Sequence, residues 1–440
     1  MVTLEELVVF CKIRGFVYSS SSIYGGLKGF FDFGPLGVEL KNNLKKFWWK
    51  EIVLMRDDVF GMDCSNVINK DALFFSGHQN GFQDTFIDCK DCKCRFRDDE
   101  LKDNICPKCG SSNFSEPRSF KLMMNVNVGP VEGEFACLRP ETAQSMFINF
   151  KNIMDSFSPK LPFGIAQIGK AYRNEVTPKN FIFRSREFEQ MEMEFFVEPQ
   201  DSERFFFEWK ETRMNSWKKI GLEGIFRDQA PDELAHYSKA TSDIMFKFPH
   251  GYDEVEGIAN RGDFDLGSHT KAQSSFDIKA KVIANNKSTE KLCYNKDGAN
   301  IIPNIIEVSA GLDRAFLAVL YNSYYKDEKR TVLKLPHCLS PIKAAVCSLV
   351  KNNDEMVNFA KNIFCSLKNK DILPVVFEFG SNIGKIYKKH DEIGTPFCIT
   401  VDHDSLLGDK KDTVTVRYRD TTEQVRIHIA DIVNFLKENL

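Results

Sequence analysis

Apolar and polar positions follow two different periods along this 440-residue chain. Between residues 35 and 55, Leu40, Leu44, Phe47, Trp48, Ile52 and Met55 recur at three- and four-residue spacing, and Pro35 suits a first helical turn. That predicts a helix with one strongly apolar face, packed on its own domain or on a second subunit. "IIPNIIEVSAGLDRAFLAVL" (301–320) reads as an apolar strand, a Ser-Ala-Gly turn, and a helix whose Leu312, Ala315, Phe316 and Val319 face inward. "FRSREFEQMEMEFF" (183–196) supports two readings. As a helix it gives Phe188, Met191 and Phe195 a modest apolar stripe. As a strand it puts Arg184, Arg186, Phe188, Gln190 and Glu192 on one face, with Glu187, Glu189, Met191 and Met193 on the other. Pattern alone leaves both open. After the prolines at 336 and 341 the texture changes, which places a domain boundary there. Beyond it the chain reads as helix (342–351 and 355–368), strand "ILPVVFEF", helix "GKIYKKHDEIG", strands "FCITV" and "TVTVRYRD", and a closing helix from about Thr422, a small α/β domain.

Length alone calls for two domains or one large domain with an appended one. The 59 basic and 62 acidic side chains rule out an extended cationic surface, so any nucleic-acid contact must rest on local patches. No stretch reaches the roughly 18 apolar residues of a membrane span, and "MVTLEELVVFCKIRG" lacks the apolar core of a signal peptide. A cytoplasmic protein with no membrane partner is the expectation. Thirteen scattered cysteines without a secretory signal point to reduced thiols. Four stand apart: in "CKDCKCRFRDDELKDNICPKCG", Cys89 and Cys92, then Cys106 and Cys109, form two C-x2-C knuckles. Each knuckle can supply two corners of one tetrahedron, the spacing of a zinc ribbon, and a four-thiolate site leaves zinc a structural role. Cys94 is the odd one out.

The runs "SSIYGGLKGFFDFGPLG", "LRPETAQSMF", "FGIAQIGKAYRNEVTPKNFIFRSREFEQMEMEFF", "GIANRGDFDL", "EVSAGLDRAF" and "GTPFCITVD", in this order, resemble glycyl-tRNA synthetases of the homodimeric kind. These are class II aminoacyl-tRNA synthetases. "YRNE" followed by "FRSREF" is similar to the second class-defining motif and "GLDRAF" to the third, while the Pro35 helix stands in the place of the first, which builds the dimer interface. The resemblance implies an α+β class II catalytic domain over residues 1–335, built on an antiparallel sheet, with a zinc-ribbon-like insertion at about 86–116. It also implies an α/β anticodon-binding domain over 336–440. It favours the strand reading of 183–196, on which Phe188 and Glu192 stand about 13 Å apart along one face, roughly the scale of an aminoacyl-adenylate.

The implied reaction joins glycine to ATP as glycyl-adenylate and passes the glycyl group to tRNA. No covalent protein nucleophile is required; the protein aligns the groups and stabilises charge on phosphorus. The resemblance implies catalytic roles for Arg173 at the α-phosphate, for Glu175 at the adenine end, and for Arg314 over the adenine face opposite Phe188 and at the terminal phosphate. Arg314 falls in a first helical turn, where the dipole disfavours a cation, so a compensating group is expected, Asp313 being the local choice. Asn174, Phe183, Arg184, Val255, Gly311 and Asp313 complete the ATP contacts, with Glu254 and Glu307 as candidate magnesium ligands. For glycine the family's contacts fall on Glu141, Glu192, Glu307 and Ser309, with Gln190, Phe188 and Gly311 beside them and Arg261 and Arg97 nearer the carboxylate. Selection of the smallest amino acid then rests on steric refusal of a methyl group, with no editing domain. In the carboxy-terminal domain Lys385, Lys388, Lys389, Arg417, Arg419 and Arg426 are candidates for phosphate, and Phe397 and Tyr418 for base stacking. Ser145 and Gly262 depart from common family residues without touching an assigned contact. The rival readings are another class II synthetase and a catalytically silent relative of the kind that accompanies DNA polymerases. Retention of Arg173, Arg184 and Arg314 speaks against the latter, and no DNA partner is expected.

Overall fold

The computed structural model describes residues 2–98, 101, 104–130 and 135–440. Asp99, Glu100, Lys102 and Asp103, within the expected insertion, lie outside the described residues. The amino-terminal region is organised by a seven-stranded sheet. Its strands are β1 (Val59–Gly61), β2 (Phe163–Tyr172), β3 (Glu187–Val197), β4 (Ile225–Asp228), β5 (Ala240–Phe248), β6 (Gly251–Gly262) and β7 (Asn304–Gly311), in the order β4-β5-β6-β7-β3-β2-β1. Every pairing is antiparallel except β1 with β2.

β3 resolves the ambiguity at residues 183–196 in favour of a strand. Its odd positions Met191, Met193, Phe195 and Val197 are fully buried in the main core, which also holds helices α1 (Pro35–Trp49), α2 (Ser202–Lys219) and α3 (Leu312–Ser323). Its even positions Phe188, Gln190, Glu192 and Glu194 share the opposite face. Phe196 ends that face in a second apolar cluster with Met146, Phe150, Ile165 and Ile305. Over residues 190–195 the two-residue period thus separates apolar from polar side chains along one strand.

α1 forms where the spacing predicts and continues as a wider π-type turn, Lys50–Leu54. Leu40, Leu44, Trp48 and Ile52 bury within the same chain, whereas Met55, expected on that face, is exposed beyond the turn. The π turn shifts the angular register of the residues after it, which carries Met55 off the apolar stripe. Ser309, Ala310 and Gly311 make no turn. They complete β7, which runs directly into α3, so the backbone changes direction only at the first helical residue.

The carboxy-terminal region carries five strands, β8 (Ala344–Ser348), β9 (Val375–Glu378), β10 (Phe397–Val401), β11 (Thr413–Tyr418) and β12 (Gln424–His428), in the order β9-β8-β10-β11-β12. Helices α4 (Asp354–Asn369), α5 (Ile383–Ile393) and α6 (Ile432–Asn439) accompany them. Two expectations fail here. Residues 344–348 form a strand and not a helix; all five are buried, and a central parallel strand covered on both faces reads as an unbroken apolar run without period. The helix expected from Thr422 is preceded by β12, whose alternation of Val425 and Ile427 marks a strand, and begins only at Ile432.

Between Gln83 and Lys121 a three-stranded antiparallel sheet (Gln83–Asp88, Arg95–Arg97, Arg118–Lys121) supports the cysteine knuckles. The sulfurs of Cys89, Cys92, Cys106 and Cys109 all lie within 4.8 Å of one another, with Cys89–Cys109 and Cys92–Cys106 each at 3.6 Å. A tetrahedral zinc thiolate with bonds of about 2.3 Å spaces its sulfurs by roughly 3.8 Å, so the four residues fit the ion. Cys94 stays outside the cluster, its carbonyl accepting the Cys89 N–H at 2.8 Å.

Candidate functional site

The polar face of β3 opens into a cavity of about 520 Å³. β7 and β6 continue its floor: Glu192 stands opposite Ser309, Gln190 opposite Gly311, and Gly257 opposite Ser309 on the far side. Cavity-lining residues include Arg97, Glu141, Arg173, Glu175, Phe183, Arg184, Phe188, Gln190, Glu192, Glu254, Glu307, Ser309, Gly311, Asp313 and Arg314. Chain segments almost 220 residues apart thus converge on one surface.

One end is acidic. Glu192 accepts the Thr142 hydroxyl and, at 3.4 Å, the Gln190 side-chain amide, which also reaches Ser309 Oγ at 3.3 Å. Glu141 accepts Gln144 Nε2 at 3.0 Å and lies 3.2 Å from His78 Nε2. Glu307 accepts Arg261 Nη1 at 3.0 Å. Burial raises the Glu307 carboxyl to about 8, with Glu192 and Glu141 adding to the effect against the opposing pull of Arg261. Burial likewise raises Glu192, with Glu141 contributing. Glu141 ends below the ordinary range: burial pushes it up, and His78 above all outweighs that. Behind this group Glu194 faces Glu307 across the sheet, fully buried, with neither carboxylate oxygen hydrogen-bonded among the described residues. Burial, reinforced by Glu307, holds its carboxyl well above the usual range.

The other end carries guanidinium groups and aromatic rings. Arg173 lies 5.2 Å from the Phe188 ring centre, and its Nε donates to the Pro140 carbonyl at 3.0 Å. Arg314 lies 4.5 Å from the Phe183 ring and donates through Nη1 to the Glu254 carboxylate at 3.0 Å and the Glu254 carbonyl at 3.1 Å. The group compensating Arg314 in its first helical turn is therefore Glu254. Asp313 instead accepts the Glu189 N–H at 3.1 Å and pairs with Lys41. The cation over Phe188 is Arg173, and Arg314 lies over Phe183.

Not every expected residue reaches the cavity. Asn174 and Val255 do not line it; Val255 is fully buried in the main core, on the opposite face of β6 from Glu254. Arg261 stands behind Glu307, fully buried, gripping Asp265 through two hydrogen bonds of 2.7 and 2.9 Å and stacked on Tyr237 at 3.7 Å. It supports the acids from below. Of the two candidate magnesium ligands, Glu254 stands beside Arg314, whereas Glu307 belongs with the acidic end. Arg97 lines the cavity and lies 3.3 Å from Asp84.

Sequence reasoning missed Thr142, His78, Tyr237 and Glu194. Only Glu194 carried a signal, standing two residues beyond Glu192 and so on the same strand face. In the carboxy-terminal region, Arg417 and Arg419 are withdrawn from any surface role. Arg417 grips Asp391 at 2.8 and 3.0 Å, and Arg419 donates to the Leu335 and Gly394 carbonyls. Phe397 is fully buried in that domain's core. Charge type marks a cation; it does not show that buried carbonyls and carboxylates already hold it.

Among the described residues, no helix is long and apolar enough to cross a membrane. Residues 130–322 match the tRNA synthetase class II core domain (G, H, P, S and T), and residues 343–439 match the anticodon binding domain. Over its whole length the chain is 46% identical to a glycine–tRNA ligase of Thermus thermophilus, 99% of which is covered. It is 45% identical to that of Deinococcus radiodurans, again with 99% covered, and 44% identical to that of Borreliella burgdorferi, with 98% covered. The chain belongs to the glycine–tRNA ligase family of class II aminoacyl-tRNA synthetases.

Proposed function

We propose that glycine and ATP meet end to end in this cavity, glycine at the acidic end and the nucleotide over Phe188, to form the glycyl-adenylate that charges tRNA. The observation that carries the reading is the convergence of Glu141, Glu192 and Glu307 at one end of a space whose other end holds Arg173, Phe188 and Arg314. An ammonium group satisfies acids that otherwise repel one another. Ser309 and Gln190, joined by a hydrogen bond on the cavity floor, sit where a methyl group on the α-carbon would have to go.

Arg173 holds the α-phosphate, where a guanidinium can bond two oxygens as charge builds on phosphorus. Phe188 stacks the adenine; Arg314 leaves Phe183 for its other face and reaches the terminal phosphate, while Glu175 contacts the adenine edge. Class II synthetases use ATP with magnesium, and the Glu254 carboxylate at the nucleotide end would hold the ion, which neutralises phosphate charge. The four clustered thiolates hold structural zinc.

The domain division falls near residue 336, with the carboxy-terminal domain meeting the anticodon. Lys385 and Lys388 remain its candidate phosphate contacts, together with Lys389, which pairs with Glu378 at 2.5 Å on an exposed face, and Arg426, which is half-buried and paired with Asp402. Val38, Leu54 and Met55, exposed on and just beyond α1, suit a homodimer contact. The decisive assay is amino-acid-dependent ATP–pyrophosphate exchange. Glycine should drive it and alanine, proline and threonine should not; exchange driven equally by another amino acid refutes the assignment.

A further inference from the structure

Lys41, on α1, is a buried cation outside the cavity wall. Its ammonium lies 2.5 Å from Glu189 Oε2 and 2.8 Å from Asp313 Oδ1, and the residue is 6% exposed. The Phe33 ring covers it at 3.8 Å and in turn packs edge-on against Phe316 of α3. Lys45, one helical turn on, pairs with the other Glu189 oxygen. Three distant segments are joined at this point: α1, β3 through Glu189, and the start of α3 through Asp313. The Asp313 carboxylate also takes the Glu189 backbone N–H, which fixes β3 to α3 directly.

Glu189 and Asp313 contribute atoms to the cavity wall, and Lys41 does not; the Glu189 side chain, on the face of β3 opposite Phe188, turns away from the cavity towards Lys41 and Lys45 of α1. Each acid is a chain neighbour of a group placed against the nucleotide, Phe188 in one case and Arg314 in the other. The two carboxylates therefore lie beneath the floor of the nucleotide end, where unneutralised charge would still repel polyphosphate, because burial weakens solvent screening of that repulsion. A cation beneath them removes it. Burial works against charge on Lys41, but Asp313 and then Glu189 outweigh it and hold the ammonium protonated above its ordinary range.

We propose that Lys41 is a positioning residue for ATP: it neutralises Glu189 and Asp313 beneath the nucleotide half of the cavity and locks the strand carrying Phe188 to the helix carrying Arg314. This role rests on the reading of the cavity given above. It differs from simple structural support because it acts on one substrate and not the other.

The test measures ATP–pyrophosphate exchange by the full chain, varying ATP at saturating glycine and then glycine at saturating ATP, for wild type, Lys41→Met and Lys41→Arg. Lys41→Met should raise the KM for ATP about ten-fold or more and leave the KM for glycine within about two-fold. Lys41→Arg, which keeps the charge, should recover most of the loss. A folded Lys41→Met enzyme with an unaltered KM for ATP, or with both KM values rising in parallel, overturns the proposal. If Lys41→Met does not accumulate as folded protein, Lys41→Met combined with Glu189→Gln removes one charge of each sign and still leaves Asp313 unneutralised. That double variant must show the same ATP-selective rise, and its absence equally overturns the role. Lack of glycine-dependent exchange by the wild type would instead refute the reading of the cavity itself.

Discussion

The central sheet buries acids on both of its faces, and the two are treated differently. On the helix-covered face Glu256 is fully buried, yet both oxygens are occupied, one by Arg213 Nε at 2.8 Å and the other by Trp217 Nε1 at 2.5 Å. On the cavity face Glu192, Glu194 and Glu307 crowd within 4.8 Å, with Arg261 reaching only Glu307 among them. A buried carboxylate without partners costs stability, so the first arrangement serves the fold, whereas the second concentrates negative charge beside the cavity and leaves the Glu194 oxygens without a hydrogen bond among the described residues.

Breaking the buried Arg213–Glu256 pair should have the largest effect. Glu256→Gln leaves Arg213 buried without its counter-charge and should lower unfolding free energy by about 3–5 kcal/mol in denaturant titration, with exchange activity per folded molecule retained. The cavity acids should behave in the opposite sense. Glu192→Gln should reduce kcat/KM for glycine by about 100-fold, close to 2.7 kcal/mol, without loss of melting temperature, because a charge-assisted contact to substrate disappears while a crowded anion is relieved.

A smaller effect should follow pH. With its carboxyl near 8, Glu307 is mostly protonated at neutral pH, and only the ionised form attracts ammonium. The KM for glycine should therefore fall by up to about ten-fold from pH 7 to pH 9, a change worth ~1.4 kcal/mol. A flat profile would place the ammonium elsewhere. Stability runs the other way. The folded state holds this proton more tightly than the unfolded chain, so the contribution is complete below the ordinary carboxylate range and is lost as pH rises through about 8. The smallest effect expected is from Glu194→Met, which exchanges an unpartnered acid for an apolar chain of similar length. Calorimetry should show a gain of about 1 kcal/mol, against the loss expected for Glu256→Gln.

Much of this contrast was readable along the chain. The alternation of Met191, Met193 and Phe195 with Gln190, Glu192 and Glu194 is intelligible once the segment is a strand, because a two-residue period sends the two sets to opposite faces. The residues themselves did not exclude a helix; pairing of β3 with β2 and β7 decides it. The C-x2-C spacing announced the thiolate cluster, since its geometry is local and each knuckle brings its own two sulfurs together. The strand at Ala344–Ser348 escaped notice because burial on both faces erases periodicity.

What the sequence determined by itself were properties carried by neighbours in the chain: the α1 stripe, the cysteine knuckles, the order of the family motifs, and the types of charge available for catalysis. What only the tertiary structure decided was the partner of each charge. Arg314 turns to Glu254 and not to adjacent Asp313, Asp313 turns to Lys41 some 270 residues earlier, and Arg417 and Arg419 are taken up by Asp391 and by the Leu335 and Gly394 carbonyls. The reason is range. Hydrophobic periodicity and local spacing act over a few residues, whereas a buried ion takes whichever counter-charge the packed sheet and helices bring within a few ångströms.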